Sequence, residues 1–229
     1  MTGAGQDRSG VVRAYLGLGS NVGDATASLA AAVAALDGLD GVEVAAVSRL
    51  YATAPVGVVD QPEFRNAVVA IDVRTDEDRE ATALGLLVRL KELERSSGRA
   101  SGPRWGPRPL DLDILTVGAW RMAVERPREA WSGEATRSAA GPGPASHLLR
   151  IPHAEAAERL FVLAPWADLA PDLVPPGWTE SVAAAARRRA QVEGPAAVRV
   201  VGTWDRGAGT WRPEHGAVPG PPSGPDAPG

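Results

Sequence analysis

With 229 residues, the chain has the length of one domain plus additions. It has no cysteine, which excludes disulfide scaffolds, thiolate metal sites and cysteine nucleophiles; its 3 histidines leave any metal site to carboxylates, and so to Mg²⁺ rather than zinc. A net charge of −4 is not the field of a nucleic-acid binder, and the longest uncharged apolar run, residues 25–36, is short of a membrane span. The first ten residues lack a secretory core, so the expectation is a cytoplasmic protein with neither nucleic acid nor membrane as partner.

In chain order, residues 11–18 read as a strand, and Gly19, Ser20, Asn21, Gly23 and Asp24 as the turn into an Ala-rich helix whose inner face is Leu29, Val33 and Leu36. Residues 42–51 and 64–73 read as two further strands, separated by a Pro/Gly loop whose length suggests function. A second helix is expected from Thr75, with Asp78 in a capping-box variant, to about Ser97, with Gly98 as its stop and Leu86, Leu90 and Leu93 as its core stripe. After the loop 99–109 comes a strand over 110–117. The order β-α-β-β-α-β predicts a ferredoxin-like α+β layer, an antiparallel sheet with both helices on one face and additional C-terminal helices.

Residues 118–147 lack a sustained period and read as an insertion on the surface. A short helix is expected within 153–174, and another from a Thr179 cap to about Val192. Of residues 206–229, 12 of 24 are Gly or Pro, which predicts a disordered tail; residues 1–10 are expected to be a flexible N-terminus and 11–205 the folded domain.

The strongest chemical signal is RWGPRPLDLDIL, residues 104–115. In a strand, Asp111 and Asp113 project to one face while Leu112 and Ile114 turn to the core. Two adjacent carboxylates repel unless a cation lies between them or one is protonated, and a pair of Mg²⁺ ions bridging them to phosphates would resolve that; a solvated edge-strand pair is the alternative that spacing leaves open. Arg99, Arg104 and Arg108, with no acid among them, favour phosphate, since guanidinium forks match its oxygens. Of the 24 basic residues only Lys91 is a lysine, and it sits in a helical pattern, so a Walker A loop is excluded and arginine must do the phosphate work.

RWGPRPLDLDIL, with LGLGSNVGD before it, DQPEFRNAV and LERSSGR between, and IPHAEAAERLFVLAP after, resembles the 6-hydroxymethyl-7,8-dihydropterin pyrophosphokinases over roughly residues 12–175. The resemblance implies a ferredoxin-like, monomeric enzyme that moves the β,γ-pyrophosphoryl group of ATP to the pterin hydroxymethyl with two Mg²⁺ ions and releases AMP, in folate biosynthesis. Carried across, Asp111 and Asp113 match the Mg²⁺ ligands, and Arg99 and Arg108 the arginines that neutralise phosphate. Gln61, Glu94, Ile114, His153 and Arg159 match nucleotide-side positions, with Trp105 as the lid tryptophan. Thr53, Val56 and Asn66 match the residues that read the pterin amide edge, and Phe64 and Phe161 the pair that sandwiches the ring. The chain departs from the family at Leu148, where a nucleotide-contacting arginine stands, at Ala154, which replaces an aromatic, and at Ala54 in the pterin loop. Trp120, Trp131, Arg121, Arg126, Arg128 and Arg137 of the insertion are proposed to supply the grip on the nucleotide that Leu148 and Ala154 do not provide, an inert surface loop being the alternative.

Overall fold

The computed structural model describes residues 10–54, 61–75, 77–98, 108–130, 147–194 and 196–214. The expected flexible N-terminus falls, but for Gly10, outside them, as do Val56, Arg99, Arg104, Trp105, Trp131 and Arg137.

Strand β1 (Val11–Ser20) alternates strictly between buried and more exposed residues, as a strand with one face in the main core must. Helix α1 (Ala25–Asp37) begins at an Asp24 cap, whose side chain accepts from the Ala27 N–H, and buries Leu29, Val33 and Leu36. The expected strand over 42–51 is two strands, β2 (Val42–Val47) and β3 (Leu50–Thr53). The break is local chemistry: the buried Ser48 accepts from the Val68 N–H at 2.9 Å and donates to the Arg49 carbonyl at 2.7 Å. Strand β4 (Phe64–Arg74) follows.

Helix α2 (Arg79–Ser96) starts later than Thr75, because the Asp78 side chain accepts from the Glu80 and Ala81 N–H groups and so is itself the cap. Gly98, at φ 83°, stands just past its end as anticipated. Strand β5 (Asp111–Val117) leads to β6 (Met122–Glu125), which pairs with β7 (Leu148–Ile151) in a separate two-stranded sheet. The 118–147 insertion is therefore partly built into the domain: Trp120 and Ala130 are buried in the main core, with the Arg79 guanidinium over the Trp120 ring. Trp120 is thus a core residue, not a nucleotide contact. Helices α3 (Leu160–Leu169) and α4 (Val182–Glu193) follow, the latter capped by Ser181 rather than Thr179, since the Ser181 hydroxyl accepts from the Ala184 N–H.

The main sheet is antiparallel, with order β5-β1-β4-β3 continued by β8 (Val198–Asp205) and β9 (Thr210–Pro213), and β2 also paired to β4. One face carries the core shared with α1 and α2; the other, through Val68 and Leu115, packs on Leu163 and Trp166 of α3 and Val182 and Ala185 of α4. The fold is thus a mixed α/β layer with four α-helices among the described residues. No helix among them is long and apolar enough to cross a membrane.

The expected disorder from Arg206 onward is corrected by β9. Its Trp211 is 4% exposed, donates from Nε1 to the Ser48 carbonyl at 2.8 Å and stacks edge-on to Trp204. One buried tryptophan outweighs a Gly-rich composition locally; residues 215–229 of the expected tail lie outside the described residues.

Candidate active site

One cavity of about 600 Å³ opens where β1, β3, β4 and β5 meet the 153–162 segment. Its lining includes Thr53, Gln61, Phe64, Asn66, Arg108, Asp111, Asp113, Ile114, His153, Arg159 and Phe161, so the sequence motifs, far apart in the chain, converge on one site.

The charged wall is β5. Asp111 and Asp113 are both half-buried and both face the cavity, as their spacing predicts, while Leu112 is fully buried behind them. Arg108 Nη1 donates to Asp111 Oδ2 at 2.6 Å. Burial would raise the Asp113 carboxyl, but Lys91, His153, Arg159 and Arg108 together outweigh it and hold the group below the usual carboxylate range. His153 Nδ1 accepts from the Glu155 N–H at 3.2 Å, which leaves the proton on Nε2, and burial pushes the imidazole below its ordinary value against the pull of Asp113. Arg159 pairs with Glu155 and lies over the Phe161 ring.

Glu94, expected on the nucleotide side, does not line the cavity; its side chain is only 3% exposed, behind the strand. It accepts from Lys91 Nζ at 2.6 Å and from the Leu112 N–H at 2.7 Å, while Lys91 also donates to the Leu112 carbonyl at 3.1 Å. Among the described residues β5 is at the edge of the sheet with no strand beyond Leu112, and the ion pair takes up both its peptide groups in place of one. The residue between the two aspartates is thereby pinned. Lys91 itself reaches the cavity, a role that sequence reasoning missed although its i,i+3 spacing from Glu94 on a core-facing stripe was readable.

The opposite wall is neutral. Asn66 on β4 donates from Nδ2 to Thr53 Oγ1 on β3 at 2.9 Å, and both side chains are buried. A Cβ at Gly19 would lie 3.3 Å from Asn66 Oδ1, so the glycine gives the amide room, and Gly17 and Gly19 line the cavity beside it. Phe64 and Phe161 complete this side. Asn21, also missed, ties the walls together: its Oδ1 accepts from the Arg108 N–H at 2.8 Å and its Nδ2 donates to Gln61 Oε1 at 3.0 Å. Its only sequence signal was an amide in a Gly-rich turn, which does not name its partners. Arg126, just past β6, and Leu148 and Arg150 of β7 also line the cavity, with Arg126 Nε donating to the Leu148 carbonyl at 3.1 Å.

Among the described residues no three His, Asp or Glu side chains gather into a metal cage. Two neighbouring carboxylates suit an Mg²⁺ that completes its shell with water and phosphate oxygens, so the donor set fits that ion.

The family model described as 7,8-dihydro-6-hydroxymethylpterin-pyrophosphokinase (HPPK) matches residues 15–171. The chain belongs to this family. It is 41% identical over 169 residues to the 2-amino-4-hydroxy-6-hydroxymethyldihydropteridine pyrophosphokinase of Methylorubrum extorquens, covering 74% of this chain and 89% of the relative. It is 37% identical to the enzyme of the same name from Pseudomonas aeruginosa, with 71% and 83% covered. Among solved structures, the wild-type Plasmodium falciparum HPPK-DHPS with STZ-DHP shares the fold at TM-score 0.62 and 14% identity, with 86% of this chain matched. The chain spans about half that protein's length, 48%. As an HPPK, the chain is a pyrophosphokinase, a transferase of folate biosynthesis.

Proposed function

We propose that the chain transfers the β,γ-pyrophosphoryl group of Mg²⁺-bound ATP to the hydroxymethyl oxygen of 6-hydroxymethyl-7,8-dihydropterin and releases AMP. The observation that carries this reading is one cavity with two unlike walls: paired carboxylates among arginines on one side, a buried Asn66–Thr53 pair with two phenylalanines on the other. A flat polar heterocycle needs stacking and a few fixed hydrogen bonds, and a triphosphate needs cations.

Mg²⁺ held by Asp111 and Asp113 supplies charge neutralisation on the triphosphate oxygens. Arg108 and Arg159 add fixed positive charge, and Arg99 is assigned the same task. His153, whose Nδ1 accepts from the Glu155 N–H, offers its Nε2 proton to a phosphate or ribose oxygen. Asn66 and Thr53 orient the pterin amide edge, Phe64 and Phe161 hold its faces, Gln61 sits at the junction of the two substrates, and Val56 and Trp105 are assigned to the pterin loop and the lid. The hydroxymethyl oxygen bonds to the β-phosphorus as the bridge to the α-phosphate breaks, AMP leaves with that bridging oxygen, and the hydroxyl proton passes to a phosphate oxygen. On the nucleotide side, Arg126 and Arg150 line the cavity beside Leu148 and Ala154, and in this reading they supply the polar grip that those two apolar side chains cannot.

The same reading takes the layer from β1 to β5 as ferredoxin-like, supported by the order β5-β1-β4-β3 with α1 and α2 on one face. Chromatography of nucleotides after incubation with ATP, Mg²⁺ and 6-hydroxymethyl-7,8-dihydropterin tests the function. AMP that appears only when the pterin is present is expected; ADP as the product, or no pterin dependence, overturns it.

A further inference from the structure

The matched family region ends at residue 171, whereas the β8–β9 hairpin lies beyond it and reaches the cavity's neutral wall. In the order β5-β1-β4-β3, strand β3 would be an edge strand; β8 covers it in the register Thr53↔Val198, Ala52↔Arg199, Tyr51↔Val200, Leu50↔Gly202. A Cβ at Gly202 would meet the Arg212 carbonyl at 3.0 Å, so a glycine lets the two hairpin strands close up where the β3 register shifts. Thr53, which accepts from Asn66, is the last residue of β3 and is paired to β8. The chain re-enters the described structure at Gln61, and two residues later Glu63 is held from both sides: Arg199 Nη2 donates to its carboxylate at 2.9 and 3.0 Å, and Arg65 Nη1 at 3.3 Å. Phe64, the next residue, lines the cavity. Adjacent positions of one strand, Val198 and Arg199, therefore hold Thr53 at the end of β3 and Glu63 just before β4. The hairpin's other end is anchored independently of the cavity, by Trp211 on the Ser48 carbonyl and by Arg206 on the Ala45 carbonyl at 2.9 Å.

We propose that the C-terminal hairpin is a positioning element for the heterocycle side of the site, and that Arg199, acting through Glu63, sets the placement of Phe64. This rests on the reading of that wall as the pterin wall. The ion pair is exposed at both partners, so its lever is modest and falls on one substrate. The charged wall lies on the far side of the cavity, beyond its reach.

The test is steady-state kinetics of Arg199→Ala, Arg199→Glu and Arg199→Lys, with Arg206→Ala as a control that removes a hairpin arginine bonded to Ala45, away from Glu63. Expected is a pterin KM raised about threefold to fivefold in Arg199→Ala and about tenfold in Arg199→Glu, where a like charge faces Glu63, with ATP KM and kcat within twofold. Arg199→Lys should recover most of the loss, and Arg206→Ala should leave the pterin KM unchanged. A pterin KM that does not move in Arg199→Glu, or that rises equally in Arg206→Ala, or an ATP KM that rises alongside it, overturns the proposal. Wild-type enzyme run in parallel separates the two readings: if it turns over no pterin, the function assigned to the site fails first; if it does and the variants match it, only the hairpin's role fails.

Discussion

The two walls of the cavity are made by different physics. The β5 wall places two carboxylates two residues apart on an edge strand, an arrangement that repels itself and is tolerable only because Lys91, Arg108, Arg159 and His153 surround it and because Glu94 and Lys91 clamp the Leu112 peptide. The β3/β4 wall carries no charge at its centre; Asn66 and Thr53 satisfy each other, and the charges that steady it, Arg49 with Asp168 and Arg199 with Glu63, are set back on its flanks. A charged wall acts by electrostatics and should govern turnover, whereas a neutral, hydrogen-bonded wall should govern which heterocycle enters.

Removing one partner of the charged wall's foundation should do the greatest damage. Lys91→Met strands the Glu94 carboxylate in the core, and chemical denaturation should show a loss of about 3 to 5 kcal/mol, most of it regained in Lys91→Met/Glu94→Gln. A single variant as stable as wild type would mean that the clamp is not what holds β5. Next in size, Asp111→Ala or Asp113→Ala should lower kcat at least about 100-fold at saturating Mg²⁺ while leaving pterin binding nearly intact, read by turnover and by titration. Near-normal kcat in either would remove the metal assignment from that residue. Arg108→Ala should lower kcat about tenfold, more than it raises the pterin KM, because phosphate charge redistributes in the transition state; an unchanged kcat with a raised ATP KM would make it a ground-state binding residue.

The smallest effect concerns the neutral wall's flank. Burial, then the Asp168 carboxylate, push the Tyr51 phenol above its ordinary value, so the unfolded chain ionises first. The stability from that neutral phenol is full below about pH 10 and drains away as pH rises beyond it. Melting temperature should fall more steeply above pH 10 in wild type than in Tyr51→Phe; identical slopes would show that the phenol does not titrate on unfolding.

Much of both walls was legible in the sequence, and what was not has identifiable causes. Asp111 and Asp113 were readable because strand period fixes their common face, and the 153–162 segment because its motif is contiguous. Glu94 was misplaced because a glutamate at the edge of a helix's apolar stripe looks the same whether it faces a ligand or a neighbouring strand. Asn21 and Lys91 act through partners 87 and 21 residues away, a separation no local pattern encodes. In the fold, periodicity gave the helices but not the Ser48 break between β2 and β3, which depends on a hydroxyl choosing the backbone of β4. Nor did it give β9, whose order comes from Trp211 finding the core against the grain of its Gly-rich neighbours.

The claim that the two walls serve two substrates is tested most directly by calorimetric titration of wild type, Asp113→Ala and Asn66→Ala, each with 6-hydroxymethylpterin and, separately, with Mg²⁺ and a non-hydrolysable ATP analogue. A crossed pattern is expected: Asn66→Ala loses affinity for the pterin by about tenfold or more and keeps the nucleotide, since a buried amide is worth on the order of 1 to 3 kcal/mol, while Asp113→Ala weakens the nucleotide and keeps the pterin. Both variants losing both ligands to the same degree would contradict it.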